Sequence, residues 1–263
     1  MEIFLFFLAA IVGGTMNALA GGGGLITFTL LLLVASPVVA DATSAVALAA
    51  GYPAAVWRTR EELKDAVRTP WLWVLVVSAV LGGLSGALLL SWSGNRGFVA
   101  AVPWLVLGAT LLILLRPYLT SKTRSEGLQP DLAPWTWPIA LVTMFVVSVY
   151  GGYFGAGIGI LVISALGLMG LGDMRRAVAV KNLVTGCMRG VAVLMLIWEG
   201  SVNWTYGLPM ALGGLIGGYF GGFISHRANR ELVRTLIVII GFAVAGYYFW
   251  RLYGPPEMLI GAE

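Results

Sequence analysis

Two basic residues inside an otherwise apolar stretch define the chemistry open to this chain. Lys181 and Arg189 lie in the run 177–198, with Asn182 and Thr185 between them. At ~100° per residue these four fall within about a 100° arc of one helix face, Arg189 roughly 12 Å beyond Lys181. Lys181 stands near enough to the inner end of the segment to snorkel. Arg189 stands near the middle, where a cation needs a named partner. Glu2, Asp41 and Glu199 are close to segment ends, so none is an evident mate. Either Glu199 reaches back from about two and a half turns away, or a bound anion completes the charge of Arg189, or its guanidinium bonds carbonyls at a helix break.

The breaks are marked by glycine. Gly21, Gly22, Gly23 and Gly24 interrupt the run 3–35, which carries no Asp, Glu, Lys or Arg. Each glycine costs roughly 1 kcal/mol in a helix relative to alanine. A second interruption returns as Gly155-Ala156-Gly157. Broken backbone at membrane depth is tolerated where it is buried in protein or lines a cavity. Paired interruptions at matching places in two halves point to the binding site of a secondary transporter. A helix restarting after each break, near Gly24 and near Gly157, would present free N–H groups and a positive dipole end, a seat for an anion. Asn17, Thr43 and Ser44 add neutral hydrogen-bonding groups, comparable with Asn182 in the second half. Together these residues describe a small cage for an oxyanion.

Composition says what must hold such a cage. The chain is 59% hydrophobic and 11% charged, against roughly 25% charged in soluble domains. It reads as an all-α integral membrane protein with little outside the bilayer. A net charge of +4, with the basic residues in short loops, speaks for membrane orientation and against nucleic acid. Cys187 is the one cysteine, and His226, the one histidine, sits in a basic loop. No metal-ligand cluster, phosphate loop or Ser-His-Asp set is present, so neither an enzyme nor a cofactor is expected. The start of the chain has no basic n-region, so the first span is expected to be retained.

The apolar segments run 3–20, 24–35, 38–57, 70–91 and 98–115, then 135–152, 157–170, 177–198, 205–225 and 235–252. That order suggests two repeats, 1–118 and 135–263, joined by a polar linker at 119–134. The pieces 24–35 and 157–170 are too short for a ~30 Å hydrocarbon core and read as half-helices or hairpin legs. Gly82-Gly83-Leu84-Ser85-Gly86 matches Gly213-Gly214-Leu215-Ile216-Gly217. These are faces for close helix packing, also suited to a homodimer contact. Letting each broken run go in and come back collects Arg58, Arg60, Lys64, Arg68, Arg116, Lys122, Arg124, Arg175, Arg176, Arg227, Arg230 and Arg234 on one side. Arg96 and Arg251 are left on the other. The positive-inside bias then puts the N-terminus outside and the 116–134 linker in the cytoplasm, with the second repeat inverted.

The stretch from Asn17 to Gly24, then Ala42-Thr43-Ser44, then Gly152-Tyr153-Phe154-Gly155-Ala156-Gly157 and Ala179-Val180-Lys181-Asn182-Leu183, resembles the sulfite exporter TauE/SafE family, grouped with toluene-sulfonate uptake permeases. The resemblance covers nearly the whole chain. It implies a bacterial or archaeal inner-membrane carrier of sulfite, sulfonates or related organosulfur anions, with Ser44 and Asn182 at family-typical positions. Ile158 departs from the pattern, where another glycine is expected, and Arg189 has no assigned place in it. The resulting expectation is a secondary transporter of a small sulfur-containing anion working by alternating access. A passive anion channel and a non-transporting scaffold are the competing readings.

Overall fold

The computed structural model describes residues 2–19, 22–121, 137–171, 173–224 and 230–253. Gly21, His226 and nearly all of the 119–134 linker lie outside that set. The first apolar run is broken where its glycines predict. Helix α1 (Glu2–Leu19) ends there, and α2 (Gly23–Leu31) restarts behind Gly22, whose φ of 102° is left-handed. An L-residue pays roughly 1–2 kcal/mol for that conformation, which glycine avoids.

The chain continues through α3 (Pro37–Ala49), α4 (Gly51–Arg58), the short α5 (Arg60–Leu63) and a 3-10 turn at Ala66–Arg68. Helix α6 (Pro70–Ser121) is interrupted at Gly94, with φ 59° and ψ −174°, and so forms two arms matching the segments 70–91 and 98–115. The second broken run repeats the first. Helix α7 (Trp137–Tyr153) stops, Gly155 and Gly157 take φ of 74° and 76°, and α8 (Ile158–Leu168) restarts. Helices α9 (Met174–Trp198), α10 (Trp204–Ile224) and α11 (Arg230–Tyr253) complete the chain.

At 9 and 11 residues, α2 and α8 reach only about 14 and 17 Å, half of a bilayer's apolar core. Pro37–Arg58, Pro70–Leu115 and Met174–Trp198 are long and apolar enough to cross one. No strand occurs among the described residues. The fold is that of an all-α membrane protein.

The glycine faces determine which helices touch. A Cβ on Gly82 would stand 2.5 Å from the Phe145 carbonyl oxygen, and one on Gly86 would strike that of Val149, so the first arm of α6 lies directly on α7. On the other side, a Cβ on Gly213 would stand 2.5 Å from the Phe7 carbonyl oxygen, and one on Gly217 would strike Ile11, bringing α10 onto α1. The opening helix of each half thus packs on the glycine face of the other. The neighbouring glycines extend the exchange: Gly83 meets the backbone of Met188 on α9, and Gly214 that of Ala47 on α3. These faces are spent on contacts within the chain.

Two apolar clusters flank the breaks. In one, Phe28, Phe98 and Phe154 meet edge-on or tilted at 5.0 to 6.5 Å. The other gathers Leu72, Met144, Val184 and Met188.

Backbone-to-backbone packing of this kind leaves no room for a side chain. Gly86→Val and Gly214→Val are expected to destabilise by at least ~3 kcal/mol each, through overpacking in a region that cannot yield. Gly246→Ala, whose Cβ meets nothing within 4 Å, should be neutral or slightly stabilising. Thermal unfolding of the three detergent-purified variants checks the contrast.

Candidate functional site

The two breaks abut: a Cβ on Gly24 would stand 3.4 Å from the Ala156 Cα. Each break frees carbonyls at the end of the preceding helix, and in a dry interior these need donors. Both sets are served from α9. Lys181 Nζ donates to the Asn17 and Ala18 carbonyls, at 2.7 and 3.1 Å, at the end of α1. Arg189 Nη1 donates to the Gly151 carbonyl at 2.7 Å and that of Phe154 at 3.4 Å, at the end of α7. Each cation also sits at the negative end of a helix dipole. Bonding of broken-helix carbonyls, one of the roles open to Arg189, is made through Nη1. Lys181 is wholly buried and does not snorkel. Its carbonyl partners lie in the protein interior, and hydrogen bonding there replaces hydration at the membrane surface.

Local bonds shape each break. Tyr150 Oη donates to the Ala156 carbonyl at 2.6 Å, and Ile158 N–H donates back to Gly155. A Cβ on Gly155 would stand 2.5 Å from Arg189 Nη1, so the guanidinium fills the space a side chain would take. Ile158 is buried, its Cδ1 against Gly151, and belongs to the apolar packing. At the first break, a Cβ on Gly23 would collide with the Gly13 carbonyl, so α2 folds back tightly against α1.

The remaining expected residues divide into three groups. Asn17 and Ser44 lie buried against the first break but are engaged. Asn17 Nδ2 donates to Tyr52 Oη at 2.9 Å, and the Ser44 and Thr27 hydroxyls share a 2.6 Å hydrogen bond joining α3 to α2. Thr43 is turned away: its Oγ1 accepts from the Asn203 N–H at 3.0 Å, just ahead of α10. One residue along a helix is a 100° rotation, which separates Thr43 from Ser44. Asn182 and Thr185 are both at most 1% exposed, and Asn182 Oδ1 and Thr185 Oγ1 have no hydrogen-bond partner. Buried polar atoms in that condition are uncommon and call for a ligand or water.

On sequence Asp41, near the start of its segment, is no evident mate for Arg189. In the structure it is 2% exposed, its Oδ2 has no hydrogen-bond partner, and it interacts electrostatically with Arg189. The salt bridge found among the described residues is a surface one, Arg60 with Glu61. Packing shows the signal that could have singled Asp41 out. Gly214 meets α3 at Ala47 and Gly83 meets α9 at Met188, and Asp41 and Asn182 each stand six residues before those contacts. The two therefore hold one register position on the two helices, as do Ser44 and Thr185. Tyr52 and Tyr150, whose phenols also interact with Arg189, were likewise missed. The apolar troughs on the outside, between α1 and α2 and between α6 and α7, lie away from the breaks.

A polytopic helical membrane protein whose two broken helices meet in its interior is the class these features define. The family model for "Sulfite exporter TauE/SafE" matches residues 6–248, and the chain belongs to that family. Among its relatives, a "Probable membrane transporter protein" of Haemophilus influenzae is 26% identical, the match covering 90% of this chain and 91% of the relative. The "Probable membrane transporter protein YfcA" of Escherichia coli K12 is 25% identical, covering 95% and 90%. A "Probable membrane transporter protein" of Xylella fastidiosa Temecula1 is 29% identical, covering 92% of each chain. The chain is thus a membrane transporter by family.

Removing either cation from α9 strands buried carbonyls. Lys181→Met should cost about 1–3 kcal/mol, and Arg189→Met a similar amount, the full penalty for unbonded interior groups. If the two cations serve separate breaks, the double variant should lose close to the sum of the single losses. Thermal unfolding in detergent, taken as a double-mutant cycle, reads this.

Proposed function

We propose that the protein is a secondary transporter moving a small sulfur-containing anion, such as sulfite or an organosulfonate, across the inner membrane by alternating access. The carrying observation is the meeting of two restarted helices, taken with the buried, unpartnered Asn182 and Thr185 on the arc of α9 that carries Lys181 and Arg189. Gly22, Gly23 and Gly24 with α2, and Gly155, Ala156 and Gly157 with α8, would supply backbone donors at positive helix ends. The hydroxyl of Thr185 can donate, and the amide of Asn182 can turn its Nδ2 toward an anion. Arg189 spends Nη1 on carbonyls, leaving Nε and Nη2 to face the solute. Lys181 keeps the end of α1 in place. The family's printed name supports sulfur chemistry, and the electrostatics support a negative charge.

Three further parts of the reading follow. The reciprocal glycine packing supports two inverted repeats, and the loop charges support an N-terminus outside with a cytoplasmic linker. The depth of the site supports alternating access, since Asn182, Thr185 and Asp41 are closed off in the structure and a solute needs movement of the broken helices to enter.

Thermal stabilisation across sulfite, thiosulfate, sulfoacetate, taurine, sulfate, phosphate and acetate tests the site. A ligand at about 100 times its dissociation constant adds roughly 2.7 kcal/mol, a shift of several degrees. Reconstituted flux of the stabilising anion should saturate and show counter-transport; conduction without saturation would mean a channel. Asn182→Leu and Thr185→Val should lower flux at least ~10-fold with melting temperatures close to wild type, since neither side chain bonds to protein. Stabilisation by none of the anions would remove the proposal.

A further inference from the structure

We propose that Asp41 is the proton-carrying residue of this transporter, taking up one proton when the anion binds and releasing it when the anion leaves. The inference rests on the anion site proposed above and adds the identity of its coupling ion. Asp41 is the buried carboxylate among the described residues, 2% exposed, on the stretch of α3 that packs against α2, α9 and α10. Neither of its oxygens makes a hydrogen bond among the described residues, and Oδ2 is fully enclosed. An isolated carboxylate in that condition stays charged only at a cost of several kcal/mol, so it holds a proton or leans on a nearby cation.

The charged and titratable neighbours decide which. Helix α2 carries none, and α1 carries only the exposed Glu2. On α4, Tyr52 is hydrogen-bonded to Asn17, and Arg58 is exposed. The described charge on α6 is the exposed Arg96; α10 offers Tyr206, stacked on Phe6, and the exposed Tyr219. On α9, Arg175 is exposed, Arg176 is buried in the first turn, Cys187 is half-buried, and Lys181 holds the end of α1. Arg189 of α9 and Tyr150 of α7 are the groups that interact electrostatically with Asp41. Arg189 is therefore the cation that offsets an ionised Asp41, and it makes no ion-pair contact with it.

A single positive charge then serves two negative ones in turn. When the empty site has lost its proton, Arg189 is the cation that offsets the Asp41 carboxylate. An anion arriving at Asn182, Thr185 and Arg189 brings a like charge beside Asp41, and two like charges near one cation disfavour each other. The anion's arrival drives a proton onto the carboxylate, and by reciprocity the proton tightens anion binding. The shared register of Asp41 and Asn182 supports this division, with one half supplying a neutral amide where the other supplies an ionisable oxygen.

The test uses methanesulfonate and thiosulfate, which stay ionised throughout the range, so that any proton uptake belongs to the protein. Calorimetric titration of the detergent-purified wild type, in two buffers of different ionisation enthalpy, should find proton uptake that is small near pH 5 and rises toward one proton per anion by about pH 8. Affinity should weaken by up to about tenfold per pH unit on the alkaline side. In Asp41→Asn both the uptake and the pH slope should vanish, leaving affinity constant within about twofold across the range. Wild type that binds anion with no proton uptake overturns the proposal, as does Asp41→Asn with an unchanged slope or a sodium requirement for binding. The wild-type stoichiometry decides even if the variant fails to fold. If neither probe binds, the anion of the panel above that stabilises the protein takes their place, with its own ionisation subtracted; if none of the panel stabilises it, the anion site itself falls, and this inference with it.

Discussion

The structure depends on the provision of donors to carbonyls that two broken helices expose in a dry interior. Backbone polar groups there cost several kcal/mol each when left unpaired. One helix meets both demands. Lys181 and Arg189 project from the same side of α9, and each closes the end of a different broken helix. Their spacing along α9 therefore matches the distance between the two helix ends.

Around that constraint the glycines act in two ways. Gly22, Gly155 and Gly157 supply left-handed backbone that lets the chain stop one helix and start another. Gly82, Gly86, Gly213 and Gly217 supply close approach, so that the helices leading into the breaks lie on each other's backbones. The first use creates unsatisfied polar groups, and the second builds a frame stiff enough to hold them in place. Because each opening helix packs on the opposite half, neither break can shift without disturbing the other half's frame.

Charge in the interior follows the same economy. Lys181 and Arg189 are held by carbonyls and neither makes an ion pair with a described carboxylate, while Arg176 is buried with Nε and Nη2 unpartnered. Arg189 retains donors beyond Nη1, while Asp41, Asn182 and Thr185 keep oxygens without partners. Other buried polar atoms without partners lie on further helices, among them Thr15 Oγ1, Trp71 Nε1 and Ser148 Oγ. The outer surface is apolar, with Leu33, Trp92, Leu168 and Trp198 at least 78% exposed, as a lipid-facing shell requires.

Much of this was legible in the residues alone. Apolar run lengths, the absence of charge between 3 and 35 and the glycine tracts determined a helical membrane protein broken in two places, because those properties depend on local chain preference and on solvent. The arc shared by Lys181, Asn182, Thr185 and Arg189 was likewise set by helix geometry, and all four are buried together. What only the tertiary structure decided was the partner of each group. That Lys181 reaches Asn17 and Ala18, that Thr43 turns to Asn203 while Ser44 turns to Thr27, and that Asp41 is interior depend on contacts between residues far apart in the chain. Position along a segment suggested a surface place for Asp41 and Lys181. Neighbouring helices cover both, and burial is a property of the packed assembly that no single helix carries.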